Sequence, residues 1–240
     1  MAQPVGNLRE SYQIRETSRL WRVFEVVLCG VGLIVLSPVL VALAVAIWMT
    51  DGFPILFRQP RVGRDGRSFE LLKLRSMRTG KSGAKITSAG DPRITGIGRF
   101  LRRYKLDEIP QLWNVVRGDM ALVGPRPEVP EYVDSRDPLW RAILKRRPGI
   151  TDLPTLVYRN EEDILAGFAQ PDRHYREFIL PDKMAMNLAY GERSSAWRDL
   201  RLVLLTVRYS FWPAGFDPAA IRAAFLGNER QRTAAGQSRT

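Results

Sequence analysis

The sequence predicts an α+β protein, mainly helical, with an N-terminal re-entrant membrane helix broken at a Ser-Pro pair, a short β-hairpin and amphipathic interfacial helices. Three observations predict it. Residues 26–49 carry no formal charge and have Ser37-Pro38 at their middle. Two short alternating stretches, 54–59 and 68–74, flank the turn pair Asp65-Gly66. From residue 97 onward, apolar side chains recur at helical spacing. With 240 residues, 45% hydrophobic and 26% charged, the chain has material for one core plus an anchor, which disfavours both wholesale disorder and a polytopic membrane protein. The expected organisation is a basic segment over 1–22, a membrane helix-break-helix over 23–50, one domain over 51–226 and a disordered polar tail over 227–240.

The apolar run would extend about 36 Å as a straight helix, enough for a hydrocarbon core of about 30 Å. Pro38 removes one helix hydrogen bond and clashes with the preceding turn, so two halves of about 18 Å each are expected to meet there. Both flanks are basic, with Arg15, Arg19 and Arg22 before the run and Arg58, Arg61, Arg64, Arg67, Lys73 and Arg75 after it. Lysine and arginine favour the cytoplasmic face, so a hairpin that enters and leaves by one face is preferred over a bitopic helix. A signal peptide is the third reading, but its apolar core is usually only about 7–15 residues.

After the anchor comes the hairpin, in which Lys73 and Arg75 stand two apart and should share a face. Residues 79–92, rich in Gly, Ser and Lys, read as a mobile loop. Helices are expected at 97–104, 108–116, 138–146, 181–190 and 196–210.

Lysine and arginine number 37 against 25 acids, a formal charge of +12. Such an excess favours a polyanionic partner: nucleic acid, anionic lipid or a phosphate-rich substrate. The single cysteine, Cys29, excludes an intrachain disulfide and a CxxC site, and the single histidine, His174, argues against a histidine zinc site.

The densest group of reactive side chains spans 99–110, where Asp107 and Glu108 stand beside Arg99, Arg102, Arg103 and Lys105. Asp107 can be read as a helix cap with Pro110 in the first turn. Arg99, Arg102 and Arg103, at i, i+3 and i+4, can turn toward one phosphate or lie on a solvated face. In Pro125-Arg126-Pro127 two prolines stiffen the loop that carries a planar cation, which suits phosphate or base recognition as well as an ordinary turn. The basic run 141–147, ending at Arg147, is open in the same way.

These residues fall into ordered blocks: 57–66 (Phe57-Arg58-Gln59 to Gly66), Lys73-Leu-Arg75-Ser76-Met77, Asp91-Pro92-Arg93-Ile-Thr95, 106–120 from Leu106-Asp107-Glu108 through Asn114 to Met120, Gly124-Pro125-Arg126-Pro127-Glu128, and Arg147-Pro148-Gly149-Ile-Thr151. In this order, behind an apolar segment with a central Ser-Pro, the chain resembles the small form of the bacterial sugar transferases, the monotopic polyprenyl-phosphate phosphoglycosyl transferases, over roughly residues 19–210. The resemblance implies that Asp107 is the nucleophile, attacking the sugar-bearing phosphorus of a UDP-sugar, releasing UMP and passing the phosphosugar to polyprenyl (undecaprenyl) phosphate. It implies Mg²⁺ held by Glu108. Substrate contacts are implied at Lys73, Arg75, Arg102, Pro125, Arg126, Pro127, Arg147 and Asp199, with the membrane break at Ser37 and Pro38. It further implies lipid contact at the cytoplasmic face of a bacterial inner membrane and a role in starting glycan or exopolysaccharide assembly, and it leaves a homodimer open. Nucleic acid is not expected as a partner, because no zinc motif or RRM-like aromatic signature accompanies the arginines. The competing class is a non-enzymatic basic module on a membrane surface or on nucleic acid. The chain departs from the family pattern at Tyr104-Lys105 and, after Thr151, at Asp152-Leu-Pro154-Thr and 158–163, which leaves the sugar undetermined.

Overall fold

In a computed structural model of the chain, residues 18–78, 87 and 89–227 are described; the expected tail from 228 onward and most of the N-terminal basic segment lie outside them. Helix α1, Arg19–Asp51, starts where Ser18 Oγ accepts the Trp21 N–H and ends at Gly52, whose positive φ of 72° stops it. Helical structure runs through Pro38, so the expected separation into two helices is not seen. The local reason is the serine. Pro38 has no N–H to offer the Ile34 carbonyl, and the Ser37 hydroxyl donates to that same oxygen at 2.7 Å.

One face of α1 is anchored on the domain along most of its length. Near its start Arg22 donates to the Val115 and Met120 carbonyls at 2.6 and 2.8 Å, and Glu25 accepts the Leu122 N–H at 3.2 Å. Further along, Cys29 packs with Leu71, Val115 and Met120, and Leu40, Leu43 and Ile47 pack with Leu74 and Leu101. The opposite face, including Phe24, Val31, Ile34, Val41 and Met49, is exposed. Among the described residues α1 is the one helix long and apolar enough to cross a membrane.

The hairpin forms as expected but is longer on its first side: β1 (Leu56–Val62) pairs antiparallel with β2 (Ser68–Leu74), with Phe57 opposite Lys73. Helix α2 (Gly96–Arg103) is capped by Thr95, and Gly98 lies so close to Ser76 that a Cβ would fall 1.9 Å from its carbonyl oxygen. Of the 79–92 loop, Asp91 is described and folds back on Arg93, accepting from its backbone and guanidinium. A 3₁₀ turn (Leu106–Glu108) follows Lys105, whose φ is +58°, and leads to α3 (Gln111–Arg117), which ends at left-handed Gly118.

Strand β3 (Ala121–Val123) pairs in parallel with β4 (Gly149–Thr151), the two joined through α4 (Pro138–Leu144). Gly124 and Gly149 let the backbones touch there, since a Cβ on Gly124 would lie 2.3 Å from the Arg147 carbonyl oxygen and one on Gly149 2.1 Å from the Gly124 nitrogen. Then come α5 (Leu153–Val157), α6 (Glu161–Ala166), α7 (Pro171–His174), a π-helical turn (Tyr175–Ile179), α8 (Leu180–Glu192), α9 (Ala196–Phe211) and α10 (Pro218–Leu226). Helices α5, α8, α9 and α10 enclose Leu153, Met186, Tyr190, Leu202 and Phe225 as one core, and α4, α6, α8 and the π turn enclose a second around Trp140, Leu165 and Tyr175. The protein is thus mainly helical, with two small two-stranded sheets.

Candidate active site

The site forms where β2, the 3₁₀ turn and the loop after β3 converge. Asn114 of α3 fixes the first two: its side-chain oxygen accepts the Leu72 N–H at 3.1 Å and its amide donates to the Glu70 carbonyl at 2.7 Å. That splices α3 onto the open edge of β2 as an extra strand would be. Lys73, the next residue on β2, is thereby held beside the turn, and its Nζ lies 3.1 Å from Glu108 Oε1.

Arg126 approaches Glu108 from the other side, with Nη2 2.6 Å from Oε1 and Nη1 3.4 Å from Oε2. Burial alone would raise the Glu108 carboxyl, but Arg126, then Lys73 and Lys105, outweigh it and hold the group well below its ordinary value of 4.5. The Arg126 guanidinium is in turn raised, mainly by Glu108. Lys73 is lowered, because burial outweighs the attraction of Glu108.

Asp107 has a different environment one residue earlier. It is 4% exposed, and its Oδ1 is buried without a hydrogen-bond partner among the described residues. It does not cap α3: that helix begins at Gln111 with Pro110 as its cap residue, and no side-chain bond caps it. Burial raises the Asp107 carboxyl above its ordinary value of 3.8 and Glu108 adds to the rise, against the pull of Lys73, Lys105 and Arg102. An unsatisfied buried carboxylate oxygen is costly to keep. Gln111, one turn on, is also buried, and its Nε2 has no partner among the described residues.

The remaining expected contacts divide. Of the three arginines of α2, Arg99 and Arg103 are exposed, and only Arg102 turns inward, where its guanidinium meets Glu162 of α6 and lies 3.7 Å from Met77 Sδ. Arg75 follows the end of β2, outside its alternation, and its guanidinium donates to the Gly52 carbonyl at 2.6 Å, tying the domain to the end of α1. Arg147 donates to the Gly118 carbonyl, at the end of α3 remote from Asp107. Asp199 is buried and accepts from the Tyr190 hydroxyl at 2.6 Å. The structure therefore gathers Asp107, Glu108, Lys73 and Arg126, with Arg102 near enough to act on Asp107, whereas Arg75, Arg147 and Asp199 have these other partners. Pro125 and Pro127 flank Arg126, and their carbonyls accept from Gly149 N at 3.0 Å and from Arg61 Nη1 at 2.9 Å.

Sequence reasoning passed over Asn114 and Glu162. Asn114 was legible as a polar residue inside a helix, whereas Glu162 is sixty residues from its arginine and gave no signal.

No group of three or more His, Cys, Asp or Glu side chains able to hold a metal occurs among the described residues. What is present is a pair of adjacent carboxylates, one of them strongly ionised. Hard oxygen donors of that number fit Mg²⁺, which takes one or two carboxylates and completes its shell with substrate phosphates and water.

Two adjacent carboxylates, one of them braced by Lys73 and Arg126, form the charged centre of the site. The chain matches the sequence profile described as "Bacterial sugar transferase" over residues 16–213. It is 37% identical over 191 residues to the UDP-glucose:undecaprenyl-phosphate glucose-1-phosphate transferase of Caulobacter vibrioides, covering 78% of this chain and 67% of that one. The protein of the same name from Escherichia coli K12 is 34% identical over 80% of this chain and 40% of its own length. The UDP-N-acetylgalactosamine-undecaprenyl-phosphate N-acetylgalactosaminephosphotransferase of Aeromonas hydrophila is 32% identical over 78% of this chain and 42% of its own. The chain thus spans about two fifths of the length of the last two. It belongs to the bacterial sugar transferase family.

Proposed function

We propose that the protein moves a sugar 1-phosphate from a UDP-sugar to undecaprenyl phosphate through a phosphosugar carried on Asp107. The observation that carries this reading is the buried Oδ1 of Asp107, without a hydrogen-bond partner among the described residues, next to an ionised Glu108. In the first half-reaction a carboxylate oxygen of Asp107 bonds to the sugar-bearing phosphorus. The bond from that phosphorus to the bridging oxygen breaks, and UMP leaves with the electron pair. In the second, an oxygen of the lipid phosphate attacks the same phosphorus, and Asp107 departs as a carboxylate.

Lys73, Arg102 and Arg126 offer positive charge to a diphosphate that an anion must approach, and their cost of orientation is already met by Glu108 and Glu162. Glu108, and Asp107 before it reacts, would hold Mg²⁺, which when bound neutralises charge on the diphosphate and stabilises the leaving oxygen. The relatives are named for glucose 1-phosphate in two cases and for N-acetylgalactosamine phosphate in a third, so the proposed donor is a UDP-sugar as a class. The experiment is product analysis with membrane-embedded protein, Mg²⁺, undecaprenyl phosphate and a panel of UDP-sugars. UMP and a lipid-linked diphosphosugar in equal amounts support the reading; free sugar 1-phosphate in place of the lipid product contradicts it and assigns a hydrolase.

The same proposal places the protein on the cytoplasmic face of an inner membrane, with both ends of α1 on that side and its exposed apolar face seated in one leaflet. Support comes from the anchoring of both halves of α1 on one domain, Arg22 and Glu25 on the α3–β3 turn and Ile47 on β2 and α2, while its other face is apolar and exposed. A helix crossing the bilayer would carry the domain surface it is packed against into the hydrocarbon. Cysteines introduced at exposed Ser18 and Phe53 are expected to react with an impermeant maleimide from the same side of inverted vesicles; labelling from opposite sides would defeat the topology.

A further inference from the structure

We infer that Asp152 is a positioning residue for the reaction, acting through the backbone of Arg126; the inference rests on the function just proposed. Asp152 is 2% exposed. Its Oδ2 accepts the Arg126 N–H at 2.8 Å and the Asn187 side-chain amide at 3.0 Å, and its Oδ1 accepts the Thr155 N–H at 2.6 Å, capping α5.

The first of these bonds is singular for a covalent reason. In Pro125-Arg126-Pro127 both prolines lack an N–H, so Arg126 supplies the sole backbone donor of the tripeptide. Its carbonyl anchors are at the edges of the loop, on Gly149 and Arg61. Among the described residues, the bond to Asp152 is the one that holds the backbone of Arg126 itself. That guanidinium spans Glu108 with a short contact of 2.6 Å and a longer one of 3.4 Å, a fork geometry sensitive to displacement of its own Cα. Asp152 therefore fixes, from inside the protein, the aim of a cation whose head faces the reacting carboxylates. Asn187 extends the support to α8, so the segment in which the chain departs from its family pattern reaches the site without touching the substrate.

Asp152→Asn separates this role from simple capping. Asparagine caps helices about as well as aspartate, so its Oδ1 keeps the Thr155 bond, while its NH₂ meets the Arg126 N–H donor to donor. UMP release would be measured in membrane-embedded wild type, D152N, R126A and the double variant. The expected result is a fall of about thirtyfold in kcat/KM for D152N in the wild-type background, in line with losing a hydrogen bond to a charged group, and less than threefold in the R126A background, because the two act as one unit. Asn187→Ala, which removes a donor and leaves the carboxylate, should show a smaller loss with the same coupling and serves if D152N does not fold. Leu156→Ala, a core change in the same helix, should combine additively with R126A. Additive losses for both D152N and N187A, with active wild type, overturn the positioning role alone. Absence of UMP from wild type overturns the proposed function and this inference with it.

Discussion

Asp107→Asn is expected to abolish UMP release, with kcat reduced by at least about a thousandfold, and to make the protein more stable. The first effect follows from nucleophilic catalysis: the amide cannot form the bond to phosphorus, and groups that act as one unit lose nearly all their rate when the central one is removed. The second follows from burial. The carboxyl is 4% exposed, its Oδ1 has no partner among the described residues, and its proton affinity is raised chiefly because burial disfavours the charge. A folded-state pKa above the unfolded one means that the folded state gives up its proton less readily, so stability is lost as pH rises from the unfolded value of 3.8 through the raised folded one. Removing the charge should raise Tm at pH 7 by about 3 °C, roughly 1 kcal/mol for a domain of this size, and the gain should fade below pH 3.8. A Tm that falls in D107N at neutral pH would mean that the carboxylate is a satisfied structural group.

Glu108→Gln is expected to inactivate the protein as well but with the opposite effect on stability. Its carboxylate is the shared partner of Lys73 and Arg126. Neutralising it leaves two cations facing each other in a largely buried place, and breaking such a pair costs about 3–5 kcal/mol. The depressed carboxyl contributes stability that is present above its unfolded value of 4.5 and is lost only as pH falls through a folded value well below that. The variant should therefore melt about 10 °C lower at pH 7, and the deficit should narrow in acid. Thermal unfolding of D107N and E108Q side by side, from pH 3 to pH 8, checks both signs. Equal destabilisation by the two would show that the adjacent carboxylates share one environment.

The elements legible in the sequence were those whose pattern is local. The apolar run, the hairpin around Asp65-Gly66 and the helices at 96–103, 138–144 and 196–211 carry enough residues to show their periods. Strands β3 and β4 have three residues each, too few for alternation to register, and α5, α6 and α7 are four to six residues long. Missing them hid the parallel pairing that presents the Pro-Arg-Pro loop. The Ser37-Pro38 expectation went too far because it counted the hydrogen bond that proline removes and not the hydroxyl that replaces it.

At the site, the fold brings Asp107, Glu108, Lys73 and Arg126 together, and the four were legible through the family resemblance of the blocks that carry them. Their inequality was not. Adjacent in sequence, the two carboxylates look alike, and only the fold shows that one is braced by cations while Oδ1 of the other has no partner among the described residues. Arg75 and Asp199 carry the same residue types expected of substrate contacts, yet they bond to Gly52 and Tyr190, a use of charge that spacing alone does not distinguish.

The central claim is the covalent step on Asp107, and intact-mass analysis tests it most directly. Protein incubated with an active UDP-sugar and Mg²⁺ in the absence of undecaprenyl phosphate should gain the mass of one phosphosugar, release one equivalent of UMP, and lose the adduct when the lipid is added. Peptide mapping should put the adduct on Asp107, and D107N should acquire none. Lipid-linked product formed at the wild-type rate by D107N, or UMP release that depends on the lipid with no adduct at any time, would contradict the account and point to direct transfer between the two substrates.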